Sequence, residues 1–130
     1  IFGLLAYLIF RNIPDIYATG KTIASGKTSN LNTVEGILTC LGGALLCGVL
    51  VYTAVFFFKK FKHPVLKAIG ILIPISLFVY LGFDHCVANM FYFSFALNDL
   101  SPWLILNLVL ATLGNSLGAI AVNEFTKIAK

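Results

Sequence analysis

Charge is what this chain has least of. Its 130 residues include 9 Lys or Arg and 5 Asp or Glu, 11% together, where a soluble domain carries roughly 25%. With 59% hydrophobic residues and a mean hydropathy of +0.96, an ordinary aqueous core is excluded and the bilayer is the solvent. The net charge of +4 does not indicate nucleic acid, because the basic residues fall in short connections and ends and form no stripe. A Ser/His/Asp set, an HExxH helix and paired GxGD-type aspartates are all lacking, so an intramembrane enzyme is not expected. No cofactor and no metal site is implied. The three cysteines lie in apolar segments and read as small buried hydrophobes. Cys40 and Cys47, seven apart on one helix, are separated by about 10 Å along its axis, too far for a disulfide. The opening lacks a basic n-region and a small-residue cleavage site; the chain is expected to be the C-terminal part of a longer protein.

What is present is a set of long apolar runs: Ile1 to Phe10, Val34 to Phe58, Val65 to Leu97 and Trp103 to Val122. A spanning helix needs about 20 apolar residues, so the last three qualify. The first, too short, reads as the end of a helix. Lys59, Lys60, Lys62 and Lys67 crowd one short connection, while Asn98 to Pro102 carries no Lys or Arg. The excess of positive charge in cytoplasmic loops fixes orientation. The expected layout is therefore a helix end at 1–10, an external loop at 11–33, and a transmembrane helix at 34–58. A cytoplasmic loop at 59–64 leads into a broken transmembrane helix at 65–97. An external loop at 98–102, a transmembrane helix at 103–125 and a cytoplasmic tail at 126–130 complete a multi-pass protein of the inner or plasma membrane. Arg11, Lys21 and Lys27 in the first external loop run against this rule; the Gly, Ser, Thr and Asn content of that loop, with Pro14, argues against a span.

Within 65–97 stands Gly82-Phe83-Asp84-His85-Cys86-Val87-Ala88-Asn89-Met90. Asp, His and Asn at bilayer depth are costly and face a bundle interior or a water-filled path. Gly82, with Pro74 upstream, predicts a helix that breaks there, the sequence sign of a transporter's midplane site. A break would free N–H groups near Val87 to Asn89, and the positive end of that half-helix favours an anion. Asn89 either ties the break to its neighbours or lines the path. Asp84 would repel an anion and is expected to be structural, accepting hydrogen bonds away from the lumen. A second run reads Asn107-Leu108-Val109-Leu110-Ala111-Thr112-Leu113-Gly114-Asn115-Ser116-Leu117-Gly118-Ala119. Its Gly114 and Gly118, extended by Ala111, form a small-residue face for close helix approach. Thr112, Asn115 and Ser116 are candidates to bond across helices, with Asn115 or Thr112 touching solute as the alternative. His63 beside Pro64 reads as a solvated turn.

The run at 82–90 resembles the fifth-helix signature of the formate/nitrite transporter family, and the run at 107–119 is similar to its sixth-helix pattern Asn-Leu-x-x-x-Thr-x-Gly-Asn-x-x-Gly-Gly. The resemblance covers nearly the whole chain. It implies an all-α membrane protein, the second three-helix repeat of an aquaporin-like inverted-repeat fold with one broken transmembrane helix. It further implies a homopentamer in membrane lipid with an anion pore in each protomer. The partners implied are protons and small monovalent weak-acid anions, formate or nitrite first, with hydrosulfide or lactate served by relatives. His85 would be the titratable group of the pore. Phe78, seven residues earlier, would be the cytoplasmic-side constriction, and Cys86 replaces the usual serine after the motif His. Lys27 would be an external vestibule lysine, although the family's lysine lies one residue nearer the position of Glu35. Ala44 stands where many members carry Asn, which is expected to remove a polar lining group, and Ala119 replaces the closing Gly.

The mechanism expected from these residues starts from the cost of moving a bare anion through a dry constriction, several kcal/mol or more. A nearly neutral species crosses far more cheaply. His85 would donate a proton or a strong hydrogen bond to an anion drawn in by half-helix dipoles. Two other readings stand beside it: a neutral-solute channel in which His85 and Asn89 only hydrogen-bond the solute, and a structural membrane subunit.

Overall fold

The Thr33 hydroxyl accepts the Gly36 N–H at 3.1 Å and starts a helix whose first turn carries Glu35 and whose last carries Lys59 and Lys60. Acid at the start and base at the end both suit the helix dipole. In a computed structural model of the chain, which describes residues 2–99 and 101–128, this helix is the third of six. In chain order they are α1 (Phe2–Phe10), α2 (Pro14–Thr28), α3 (Val34–Lys60), α4 (Pro64–Tyr80), α5 (Cys86–Phe93) and α6 (Pro102–Ile128), with a 3-10 helix, Ser94–Asp99, before α6. Leu100 in the 98–102 connection and Lys130 in the tail lie outside the described residues.

Helices α3 and α6, 27 residues each, reach about 40 Å and are long and apolar enough to cross a membrane. They form the main packing interface. A Cβ at Gly114 would sit 2.6 Å from the Ala44 Cβ and 2.9 Å from the Leu41 carbonyl oxygen, and one at Gly118 would run into the Leu45 carbonyl. From the other side, Gly48 abuts the Asn115 carbonyl. With Ala111 fully buried in the same stripe, the two backbones meet as the small-residue spacing requires. Ala44 is completely buried in this seam. Its side chain faces Gly114, where a larger residue has no room.

The segment expected as an external loop, 11–33, is largely helix. Pro14 occupies the first helical position, where its missing N–H costs nothing. Asp15 and Lys27 complement the two ends. Packing supplies what composition does not: Gly20 lies beneath the buried Phe95 ring, and Ala24 joins Phe93, Ala96 and Leu104 in the core. The rest of the expected layout shifts at its edges. The predicted 34–58 and 103–125 spans extend to Lys60 and Ile128, and 65–97 divides into α4, a non-helical stretch, α5 and the 3-10 turn. Pro74 lies buried inside α4 without ending it.

Candidate functional site

The interruption between α4 and α5 has a defined cause at each end. At the first, Gly82 adopts φ +67°, the left-handed conformation that glycine takes without a Cβ penalty. The Phe83 N–H donates to the Phe78 carbonyl and the Gly82 N–H to the Val79 carbonyl, both at 3.1 Å. This paired closure ends the helix and satisfies its last carbonyls. At the second end, His85 is the N-cap residue of α5, and its Nδ1 accepts the Ala88 N–H at 3.3 Å. The imidazole nitrogen does what a Ser or Asp oxygen ordinarily does there. A ring nitrogen that accepts carries no proton, so the proton of the neutral ring is on Nε2. The His85 ring stacks on Phe78, with centroids 5.5 Å apart and planes at 18°.

Asn115 holds the break in place. Its Oδ1 accepts the Cys86 N–H at 3.0 Å, while its Nδ2 donates to the Asp84 carbonyl at 2.9 Å and the Ala44 carbonyl at 2.8 Å. One side chain on α6 thus joins α3, the non-helical stretch and the first residue of α5. The freed N–H groups expected at Val87 to Asn89 are mostly taken. Ala88 bonds to His85 Nδ1 and the Asn89 N–H to the His85 carbonyl at 2.8 Å, which leaves Val87 as the one α5 first-turn N–H without a partner among the described residues.

Asp84 lies at the centre of a polar cluster. Its Oδ1 is 3.2 Å from Lys27 Nζ, with each side chain 15% exposed, and accepts from Asn89 Nδ2 at 2.8 Å and Asn107 Nδ2 at 3.3 Å. Asn89 and Asn107 are fully buried, and Asn89 Nδ2 also donates to Asn107 Oδ1 at 2.7 Å. Asn107 Nδ2 reaches the Lys27 carbonyl at 3.1 Å and Cys40 Sγ at 3.5 Å. Among buried side-chain polar atoms of the described residues, Asn89 Oδ1 has no partner. Asn89 therefore ties the break to α6 and to Asp84. Lys27 donates to Asp84 and to the Gly82 carbonyl at 3.3 Å, so its charge is matched. It lines a hollow of about 670 Å³ together with Asp84, Glu35, Thr39, Cys40 and Gly82. His85 and Phe78 do not line that hollow. The Thr112 hydroxyl donates within its own helix, to Leu108 at 2.7 Å, and both Thr112 and Ser116 are exposed. Among the described residues, no group of three or more His, Cys, Asp or Glu side chains is placed to hold a metal.

Comparison with known proteins adds a family to this geometry. The model of the family described as "Formate/nitrite transporter" matches residues 2–128. The chain belongs to the formate/nitrite transporter family. Within that family it is 35% identical over 107 residues to the formate channel FocA of Haemophilus influenzae, covering 64% of this chain and 38% of that one. It is likewise 35% identical over 101 residues to a probable formate transporter of Methanothermobacter thermautotrophicus, covering 74% of this chain and 35% of the relative. The chain thus spans little more than a third of the length of these curated relatives. No solved structure gives a significant match. Two of its helices, α3 and α6, are long and apolar enough to cross a membrane, in keeping with that family.

Two participants in this polar cluster escape a reading of residue types. Asn107 opens the sixth-helix run and touches Asp84, Asn89, Cys40 and the Lys27 backbone. Like Asp84 to Asn89, it is a polar side chain in an apolar span, which is the signal that could have found it. Cys40 read as a small hydrophobe; it is buried, but against an amide and the rim of the hollow.

Proposed function

We propose that the protein containing this chain passes small monovalent weak-acid anions, formate or nitrite first and hydrosulfide or lactate as alternatives, through a pore in each protomer of a homopentamer. In this reading α4, the break and α5 make a third crossing. The chain supplies one three-helix repeat, and an inverted repeat closes the pore around His85. Lys59 to Lys67 and the C-terminal end face the cytoplasm, and Asn98 to Pro102 faces outside.

The observation that carries the reading is the His85 imidazole capping α5. With Nδ1 committed to the Ala88 N–H, the neutral ring presents Nε2–H as its donor. A neutral donor beside the Phe78 ring suits an anion that has shed its water, because the hydrogen bond replaces hydration without a second buried charge. Outright proton transfer asks for more. A neutral imidazole has no proton to give at ordinary pH, so His85 must first take one on Nδ1 and release the Ala88 N–H. Loss of such a cap costs about 1 kcal/mol. Hydrogen bonding in the capped state and proton exchange in the uncapped state are then two steps at one residue.

The experiment is initial formate uptake against external pH in the full-length protein, with detergent sizing of each variant. His85→Phe fills the space without a donor and is expected to abolish uptake while the oligomer stays assembled. His85→Asn keeps a donor but no titratable proton and is expected to lose the proton-linked component. A His85→Asn profile that overlays the wild type refutes the proton role. The charge of the hollow, where the two carboxylates of Asp84 and Glu35 outnumber the one ammonium of Lys27 and so do not attract an anion, favours a second reading in which the solute is neutral; flux independent of pH in all variants supports that one.

A further inference from the structure

The turn joining α3 to α4 carries the densest charge of the molecule. Lys59, Lys60, Lys62 and Lys67 fall within nine positions, and no Asp or Glu occurs anywhere from Gly36 to Phe83. Lys59, Lys60 and Lys62 are exposed, and so is His63 between them and α4. Lys59 and Lys62 make no ion pair among the described residues. The C-terminal end of α6 packs on the same part of α3, where Tyr52 Oη donates to Asn123 Oδ1 at 2.7 Å. Its Glu124 is already paired with Lys127 at 2.7 Å. No ion pair among the described residues joins a carboxylate to the turn.

The same turn is built to sit at an interface. Phe57 and Phe61 stack with centroids 5.2 Å apart, and Gly70 of α4 packs on them, so that a Cβ there would lie 2.8 Å from the Phe57 Cβ. This fixes the crossing of the two helices and with it the spacing of the lysines. Lys60 Nζ lies 5.3 Å from the Phe56 ring centroid and Lys67 Nζ 4.9 Å from that of Phe58, which is 47% exposed. Rings facing outward with ammonium groups above them match the boundary between acyl chains and headgroups, where lysine stems lie along apolar surface and their charges reach the polar layer. Beside the lysines, the α4 first turn has no side-chain cap and adds the open N–H groups of Val65 and Leu66.

We propose that this turn is a docking site for anionic phospholipid headgroups of the adjoining leaflet, with Lys59, Lys60, Lys62 and Lys67 binding the phosphodiester and the rings of Phe56 and Phe58 seated among the upper acyl carbons. A cluster of this kind gains attraction with every lysine near an anionic surface and loses it with salt. The site lies at the end of α3 opposite the Lys27–Asp84 pair, so it is separate from the conducting residues. It rests on the membrane placement proposed above, but its test reads lipid and not flux, so its failure leaves the anion reading standing.

The test places the full-length protein in nanodiscs of equal phosphatidylglycerol and phosphatidylcholine and counts the lipids retained on it by native mass spectrometry. Wild type is expected to retain phosphatidylglycerol in excess, and each lysine removed should lower the ratio by up to about five-fold. The quadruple change of all four lysines to Gln should bring it to parity. The double variant Lys59→Gln/Lys62→Gln removes no hydrogen bond, ion pair or ring contact among the described residues and should lie between. Four Lys→Arg changes should keep the excess, as should Arg11→Gln at the other end of the molecule. The proposal is overturned if wild type shows no excess, if the Gln variants keep it, or if inorganic phosphate in solution removes it as fully as they do.

Discussion

Replacing Asn115 with Ala removes three hydrogen bonds at once: from the Cys86 N–H, and to the carbonyls of Asp84 and Ala44. Each is worth about 1 kcal/mol net, and a polar group left unpaired in a buried place costs up to about 3 kcal/mol. Asn115 is half-buried and water reaches part of the gap, so a loss of about 3 kcal/mol is expected in all. The effect is local. The bonds run to the break, so α5 should loosen from α6, carrying its N-cap His85 out of register with Phe78. The assays are thermal unfolding of the detergent-solubilised full-length protein and initial formate uptake. A clear fall in melting temperature and about a ten-fold fall in uptake, equivalent to about 1.4 kcal/mol, are expected. Thr112→Val on the same helix is the control, because the Thr112 hydroxyl bonds only to Leu108 of its own helix and is exposed. Asn115→Asp is a sharper probe: it keeps the acceptor for Cys86 but turns a carboxylate oxygen toward two carbonyls, and should be at least as damaging as Ala. If Asn115→Ala melts and transports like Thr112→Val, the account of how the break is held is wrong.

Three further outcomes follow from contacts. Gly118→Ala should weaken α3–α6 packing by about 1–3 kcal/mol through collision with the Leu45 carbonyl, whereas Gly42→Ala, which meets open space, should leave the melting temperature unchanged or slightly raised. Lys27→Gln should cost about 2–3 kcal/mol by leaving the Asp84 carboxylate without its cation, and the double variant Lys27→Gln/Asp84→Asn should recover most of it; an additive double would show that the pair is not coupled. Gly82→Ala should cost about 1–2 kcal/mol, since nothing crowds the position and the left-handed backbone alone resists a Cβ. Gly82→Asn should be milder in the same thermal assay.

Much of the site's local structure was legible before any coordinates. Scarce charge and long apolar runs called for membrane helices, and α3 and α6 begin within one residue of the predicted spans. The interruption at Gly82 follows from a glycine between apolar residues and a polar run, because local backbone chemistry ends a helix whatever surrounds it. The small-residue stripe of Gly114 and Gly118 was readable because it rests on spacing within one helix.

The sequence alone did not decide what depends on partners far along the chain. Helix α2 was expected as loop: its Gly, Ser and Thr residues form helix poorly, and the packing of Gly20 and Ala24 against the Ser94–Asp99 turn and α5 overrides that preference. Asp84 and Asn107 meet Lys27 across 57 and 80 residues of sequence, and Asn89 joins them through Asp84, so each residue type hinted at a role while its partner was undetermined. His85 shows the division most plainly. Its place in a polar run marked it for function, but only the fold turned its Nδ1 to the Ala88 N–H and left Nε2–H as the donor. Residue identity sets which atoms are able to bond; the helix start and its neighbours decide which nitrogen is left free, because a hydrogen bond is satisfied by position and not by composition.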